Sequence, residues 1–210
     1  MRVDYAQKTR QVATKLVMAI SESLGLEANY IHKALDLENG VQSLQSNCYP
    51  PCPQPDLAMG LPYHADRGHI TLLTDNDFSG LQVLHNHKWV SVTSISNAFL
   101  VILADQMQIV TNGKYKGAMH RGRVNKESKR LSIASLHGPA FDTVVARSPE
   151  LVERDGQARP LYSSIKFRDY FELQHRSRMD LTQELLEMID NIHTFAKKLV
   201  KALYVFERAI

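Results

Sequence analysis

The chain has 210 residues, 44% of them apolar and 22% charged, enough to bury one sizeable core in a single domain. Its formal charge of +3 comes from 25 basic and 22 acidic residues scattered along the sequence, which argues against nucleic acid or an anionic membrane as partner. No run of roughly 18 apolar residues occurs, Met1-Arg2-Val3-Asp4 opens no signal peptide, and Cys48 and Cys52 sit in a proline-rich segment; the expectation is a cytoplasmic protein with reduced thiols.

Residues 1–40 read as a helical segment. Val12, Leu16, Val17, Ile20 and Leu24 recur at helical spacing, which predicts a helix over Tyr5–Leu24 ended by Gly25, and a second short helix over Ala28–Leu35. The long helix is expected to buttress a sheet. From Val41 the texture changes to short apolar runs broken by turn residues. Strands are expected near 42–49, 61–66, 69–75, 80–85, 88–94, 98–103, 116–124 and 130–137. His85-Asn86-His87-Lys88 reads as a hairpin tip, and Asn112-Gly113 as a tight turn ahead of the His120 strand.

Eight such strands fit a jelly roll, the cupin-like double-stranded β-helix, over residues 41–147. The fold class is therefore mainly β with flanking helices. Residues 148–210 read as a C-terminal loop and helical extension. Phe141–Arg147 returns along the barrel, and Pro149, Pro160 and the run Glu153-Arg154-Asp155-Gly156 suggest a surface loop before a helix near Arg168–Leu173. Leu181, Leu185, Met188, Ile189, Ile192, Phe195, Leu199, Val200 and Leu203 form an apolar stripe, which predicts a helical tail. A monomer is expected, with self-association through that tail as the alternative.

Two imidazoles and a carboxylate carry the chemistry. His64 and Asp66 stand at i and i+2, so on a strand both face inward, and His120 follows downstream. Two histidines and one carboxylate are the facial ligand set of non-haem Fe(II) oxygenases, which leaves one face of the metal open. Arg130 and Ser132 repeat the spacing with a guanidinium and a hydroxyl, a pair suited to gripping a carboxylate. A metal site beside a carboxylate clamp describes a 2-oxoglutarate site. A zinc hydrolase would use the same three ligands but leaves Arg130 and Ser132 unexplained. His69, His85, His87 and His175 have no partner at ligand spacing and read as loop or surface residues; Trp89 reads as core.

Blocks around these residues carry a resemblance. Asn47-Cys48-Tyr49-Pro50-Pro51-Cys52-Pro53, His64-Ala65-Asp66 followed by Ile70-Thr71-Leu72-Leu73, Gly80-Leu81-Gln82-Val83, Asn112-Gly113-Lys114-Tyr115-Lys116 with His120-Arg121, and Arg130-Leu131-Ser132 occur in this order. From Tyr5 to Arg178 the chain resembles the plant 2-oxoglutarate- and Fe(II)-dependent dioxygenases, the class of flavanone 3-hydroxylase, anthocyanidin synthase and the downy-mildew-resistance-type hydroxylases. The resemblance implies Fe(II) held by His64, Asp66 and His120, and 2-oxoglutarate held by Arg130 and Ser132 at one end and by Tyr49 and Asn47 near the metal. It also implies O2 as oxidant and ascorbate as a supporting reductant. Leu136 stands where related enzymes place an aromatic substrate contact. The implied reaction is hydroxylation, desaturation or demethylation of a small phenolic, flavonoid-like or hormone-like metabolite, with release of succinate and CO2. The family usually carries a long segment before the first helix seen here. Its lack sets up a second expectation, a truncated, catalytically impaired jelly roll that binds metal or a partner without turnover.

Overall fold

The computed structural model describes residues 2–154 and 161–176. Helix α1 (Arg2–Ser23) covers the expected span, and Gly25 ends it at φ +68°, in the left-handed region that costs glycine nothing. The short α2 (Tyr30–Ala34) follows, its Ile31 side chain fully buried. Eight strands then build two four-stranded antiparallel sheets. They are β1 (Gln42–Tyr49), β2 (Leu61–His64), β3 (Ile70–Asp75), β4 (Leu81–His85), β5 (Lys88–Ser91), β6 (Leu100–Leu103), β7 (His120–Gly122) and β8 (Arg130–His137). One sheet has the order β1-β8-β3-β6 and the other β2-β7-β4-β5, the jelly-roll arrangement read from the sequence.

The two sheets enclose a core of Leu73, Leu81, Ile102 and Ala134. Helix α1 lies on the outer face of the first sheet, where Ala13 and Leu16 pack on Ile70, Leu72 and Leu103. A second cluster joins Val17, Ile31 and Leu35 to Met107, Ile109, Val145 and Phe167, so the helices and the end of the barrel share one interior. The hairpin tip is a two-residue turn with Asn86 at φ +46° and His87 at +58°, the left-handed pair whose twist matches that of the flanking strands.

Several expectations are corrected. Strand β7 is only His120–Gly122 rather than 116–124, because Gly117 and Ala118 donate their N–H groups to the Gln108 side chain and the Leu103 carbonyl rather than to a strand partner. A helix, α3 (Asp105–Val110), occupies a stretch too short for periodicity to announce it. After the two-residue strand β9 (Val144–Val145), Pro149–Arg154 forms helix α4 rather than loop, with Arg154 donating to the carbonyls of Leu24 and Gly25 just past the end of α1. Strand β10 (Ile165–Lys166) pairs with β9 and leads into α5 (Phe167–Arg176), which contains the expected 168–173 helix. The expected tail from Leu181 lies outside the described residues, and so does His175 as a side chain. Trp89 is half-buried rather than core: it lies on the outer face of the second sheet with the Arg121 guanidinium 4.2 Å from its ring centroid. His85 and His87 are exposed as expected, but His69 is buried beneath α1, with 4% exposure. Cys48 and Cys52 are both free. Among the described residues no helix is long and apolar enough to cross a membrane.

Candidate metal centre and carboxylate clamp

Strand register brings the ligand candidates together. His64 on β2 pairs directly with His120 on β7, and their rings lie 4.3 Å apart, centroid to centroid. Asp66 stands beyond the end of β2 rather than on it, a correction to the strand expected through residue 66. Its backbone is held instead by α3, whose first residue Asp105 donates its N–H to the Asp66 carbonyl at 3.0 Å. Asp66 Oδ1 lies 3.5 Å from His64 Nε2 and 3.8 Å from His120 Nε2. One ligand atom from each of the three residues falls within 4.8 Å of the others, the spread that a single cation can bridge.

The donor chemistry fits such an ion. His64 Nδ1 lies 2.8 Å from the Pro62 carbonyl oxygen and His120 Nδ1 2.9 Å from that of Ala118. An N–H at each Nδ1 donating to these carbonyls leaves both Nε2 lone pairs facing Asp66, the orientation that metal-binding histidines need. Burial alone would raise the Asp66 carboxyl, but the His64 and His120 rings beside it and the Thr71 hydroxyl hold it below the ordinary carboxylate range. Burial also lowers His120, Asp66 opposing, and so favours the neutral ring.

The clamp is built by two adjacent strands. On β8, Arg130 faces Tyr49 of β1 and Ser132 faces Asn47, so all four side chains enter the space between the sheets. Asn47 Nδ2 donates to Ser132 Oγ at 3.4 Å, and the Arg130 guanidinium carbon sits 5.4 Å from the Tyr49 ring centroid. Burial raises the Tyr49 phenol, opposed by Arg130 and by hydrogen bonds to Ser132 and Arg130, so it stays a neutral donor. Gly80 permits this packing: a Cβ there would lie 2.7 Å from Arg130 Cδ and 2.9 Å from the Arg123 carbonyl oxygen. One cavity is lined by both groups, with Leu136 beside them.

A second cavity, of about 620 Å³, opens from His64, Asp66 and Leu136 toward the surface. Phe141, Phe167 and Phe171 form one wall, and the Arg67 guanidinium lies 4.8 Å from the Phe171 centroid. Sequence reasoning missed this wall and missed Asp75, which receives Arg130 Nη2 at 3.0 Å. Strand alternation was the available signal for Asp75, since Thr71, Leu73 and Asp75 share the inward face of β3. For the phenylalanines there was none, because their place depends on how α5 docks.

Residues 40–139 match the 2OG-Fe(II) oxygenase superfamily. The chain is 44% identical over 178 residues to 2-oxoglutarate-dependent dioxygenase 19 of Oryza sativa subsp. japonica, covering 84% of this chain and 52% of that protein. It is 44% identical over 170 residues to Protein DMR6-LIKE OXYGENASE 1 of Arabidopsis thaliana, covering 80% and 48%. Among solved structures, the crystal structure of JOX2 in complex with 2OG, Fe and JA superposes with a TM-score of 0.75 at 34% identity, covering 80% of this chain and 49% of that one. The chain spans about half the length of the curated relatives it matches.

Proposed function

The chain belongs to the 2OG-Fe(II) oxygenase superfamily, and from that membership we propose that it is an Fe(II)- and 2-oxoglutarate-dependent dioxygenase acting in the cytoplasm on a small phenolic or hormone-like metabolite. The observation that carries the proposal is the pairing of two groups in one cavity: His64, Asp66 and His120 around a common point, and Arg130 with Ser132 across from them. In this reading His64, Asp66 and His120 hold the iron, and Arg130 and Ser132 grip the distal carboxylate of 2-oxoglutarate. Tyr49 and Asn47 orient its other end. When bound, iron would let O2 act as the oxidant, one oxygen atom going to 2-oxoglutarate as it is oxidised to succinate and CO2 and the other to the substrate C–H bond.

The chain's own residues bind and orient. Carbonyl acceptors at Pro62 and Ala118 hold the two imidazoles aimed at a common point, so ligation needs little reorganisation. The phenylalanine wall beside His64 and Asp66 supports a substrate with a flat or apolar body, held there by stacking and desolvation. Leu136, at the junction of the two cavities, is the proposed aliphatic contact below it. The test is formation of succinate from 2-oxoglutarate against a panel of plant phenolics and hormone acids, with mass spectrometry for a gain of one oxygen. Binding of iron and 2-oxoglutarate without succinate from any substrate would leave a ligand-binding jelly roll without turnover.

A further inference from the structure

Arg130 is 2% exposed, so its guanidinium direction must be set by protein partners rather than by water. Two of them fix its Nε and Nη2 atoms. Nε donates to the Phe78 carbonyl oxygen at 3.2 Å, and Nη2 donates to Asp75 Oδ2 at 3.0 Å. Asp75 is itself fixed on both oxygens. Ser94 Oγ donates to Oδ2 at 2.7 Å, and the Asp77 N–H donates to Oδ1 at 3.2 Å. Opposite-strand register places Asp75 across from Ser132, beside the hydroxyl of the clamp.

We propose that Asp75 is a positioning residue for 2-oxoglutarate: anchored by Ser94 and Asp77, it holds one side of the Arg130 guanidinium so that the remaining N–H groups meet the distal carboxylate. The proposal rests on the co-substrate reading of the clamp. Its physical content is geometric. A guanidinium has five N–H donors in one rigid plane. With Nε engaged by Phe78 and one Nη2 hydrogen by Asp75, the plane cannot turn about the side-chain axis without breaking a bond. The donors left over then form a preset site for a carboxylate beside Ser132. Asp75 also balances the Arg130 charge within the barrel, since an unpaired buried cation is costly. Without Asp75 the cation would remain, but its plane would be free to tilt toward the space that the carboxylate left.

The experiment measures discrimination between 2-oxo acids rather than turnover. Mn(II)-loaded protein, used as an O2-stable stand-in, is titrated by calorimetry with 2-oxoglutarate and with 2-oxovalerate, which has the same chain length without the distal carboxylate. The parent should prefer 2-oxoglutarate strongly. Asp75→Ala should lose about tenfold or more of that preference, the scale of one charge-assisted hydrogen bond. Its Mn(II) affinity and its 2-oxovalerate affinity should stay unchanged, which a general loss of fold would not allow. Asp75→Asn keeps an acceptor oxygen in place and should restore much of the preference. Should Asp75→Ala not fold, Ser94→Ala carries the test, with a smaller loss in the same direction. Parent-like preference in whichever of Asp75→Ala and Ser94→Ala carries the test would overturn the proposal. A parent that binds both acids equally would instead overturn the clamp reading itself, and the proposal with it.

Discussion

His69 and His137 make the stability of this fold depend on acid in a calculable way. Both are buried, with 4% exposure each, and their rings lie 6.3 Å apart between the first sheet and α1. Ser135 Oγ lies 3.0 Å from His137 Nε2, and Arg10 of α1 packs alongside. Burial is the chief cause that pushes His69 down to about 3, with His137, His32 and Arg10 adding to it. Burial and then Arg10 push His137 down to about 4. In the unfolded chain both return to 6.5. The folded state therefore holds both rings neutral where the unfolded state would protonate them. Their contribution is fully present above the unfolded value of 6.5 and is lost as pH falls from there toward the folded values of about 4 and about 3. At about pH 5 the folded rings are still neutral, so the loss depends only on the unfolded value: about 2 kcal/mol for each histidine and about 4 kcal/mol for the pair, relative to about pH 7.5. Urea unfolding in the presence of a chelator, at those two pH values, should show this loss in the parent. The double variant His69→Asn, His137→Asn should start less stable but lose about 4 kcal/mol less on acidification. Carboxylates and the histidines of the metal centre titrate alike in both proteins and cancel in the comparison. Identical pH dependence in parent and variant would refute the reasoning, since the rings would then be open to protonation in the folded state.

Three further outcomes are expected. His120→Ala should abolish tight Fe(II) binding, measured by equilibrium titration, while circular dichroism shows the fold retained; unchanged affinity would remove the triad. Arg130→Lys keeps the charge but loses the planar fork, so 2-oxoglutarate should bind more weakly with iron binding preserved, and parallel loss of both would assign Arg130 a structural job. Tyr170 on α5 donates to Asp105 Oδ2 at 2.6 Å, while Oδ1 has no hydrogen-bond partner among the described residues. Tyr170→Phe should therefore cost about 2 kcal/mol in urea unfolding at neutral pH, by leaving a buried carboxyl without a donor. A variant as stable as the parent would mean that water replaces the phenol there.

The three candidate ligands were legible because their information is chemical. Residue type decides which atoms can bind a metal, and alternation decides which side a strand residue faces, as with Arg130 and Ser132 on β8, whereas Asp66 is placed past the end of β2 by its bond to Asp105. The architecture was legible for a related reason: period-two apolar runs punctuated by turn residues survive as strands whatever lies outside them. Asn86 and His87 form the hairpin turn expected at that tip, because a two-residue connection depends only on local backbone twist.

What the tertiary structure decided lies between elements distant in sequence. His69 reads as a surface residue until α1 is laid across it, and nothing near position 69 states that helix 1 will do so. Trp89 reads as core, yet the second sheet turns it outward onto Arg121. Asp75 has no visible role alone. It becomes the partner of Arg130 only when β3 pairs with β8 in the observed register. The phenylalanine wall depends on α5 docking through Tyr170 onto Asp105, which in turn is bonded to the backbone of Asp66. Side-chain chemistry and backbone periodicity are local properties and can be read from the sequence of this protein. Burial, charge pairing and cavity shape are set by which surfaces meet, and that is fixed by the summed free energy of contacts across the whole fold.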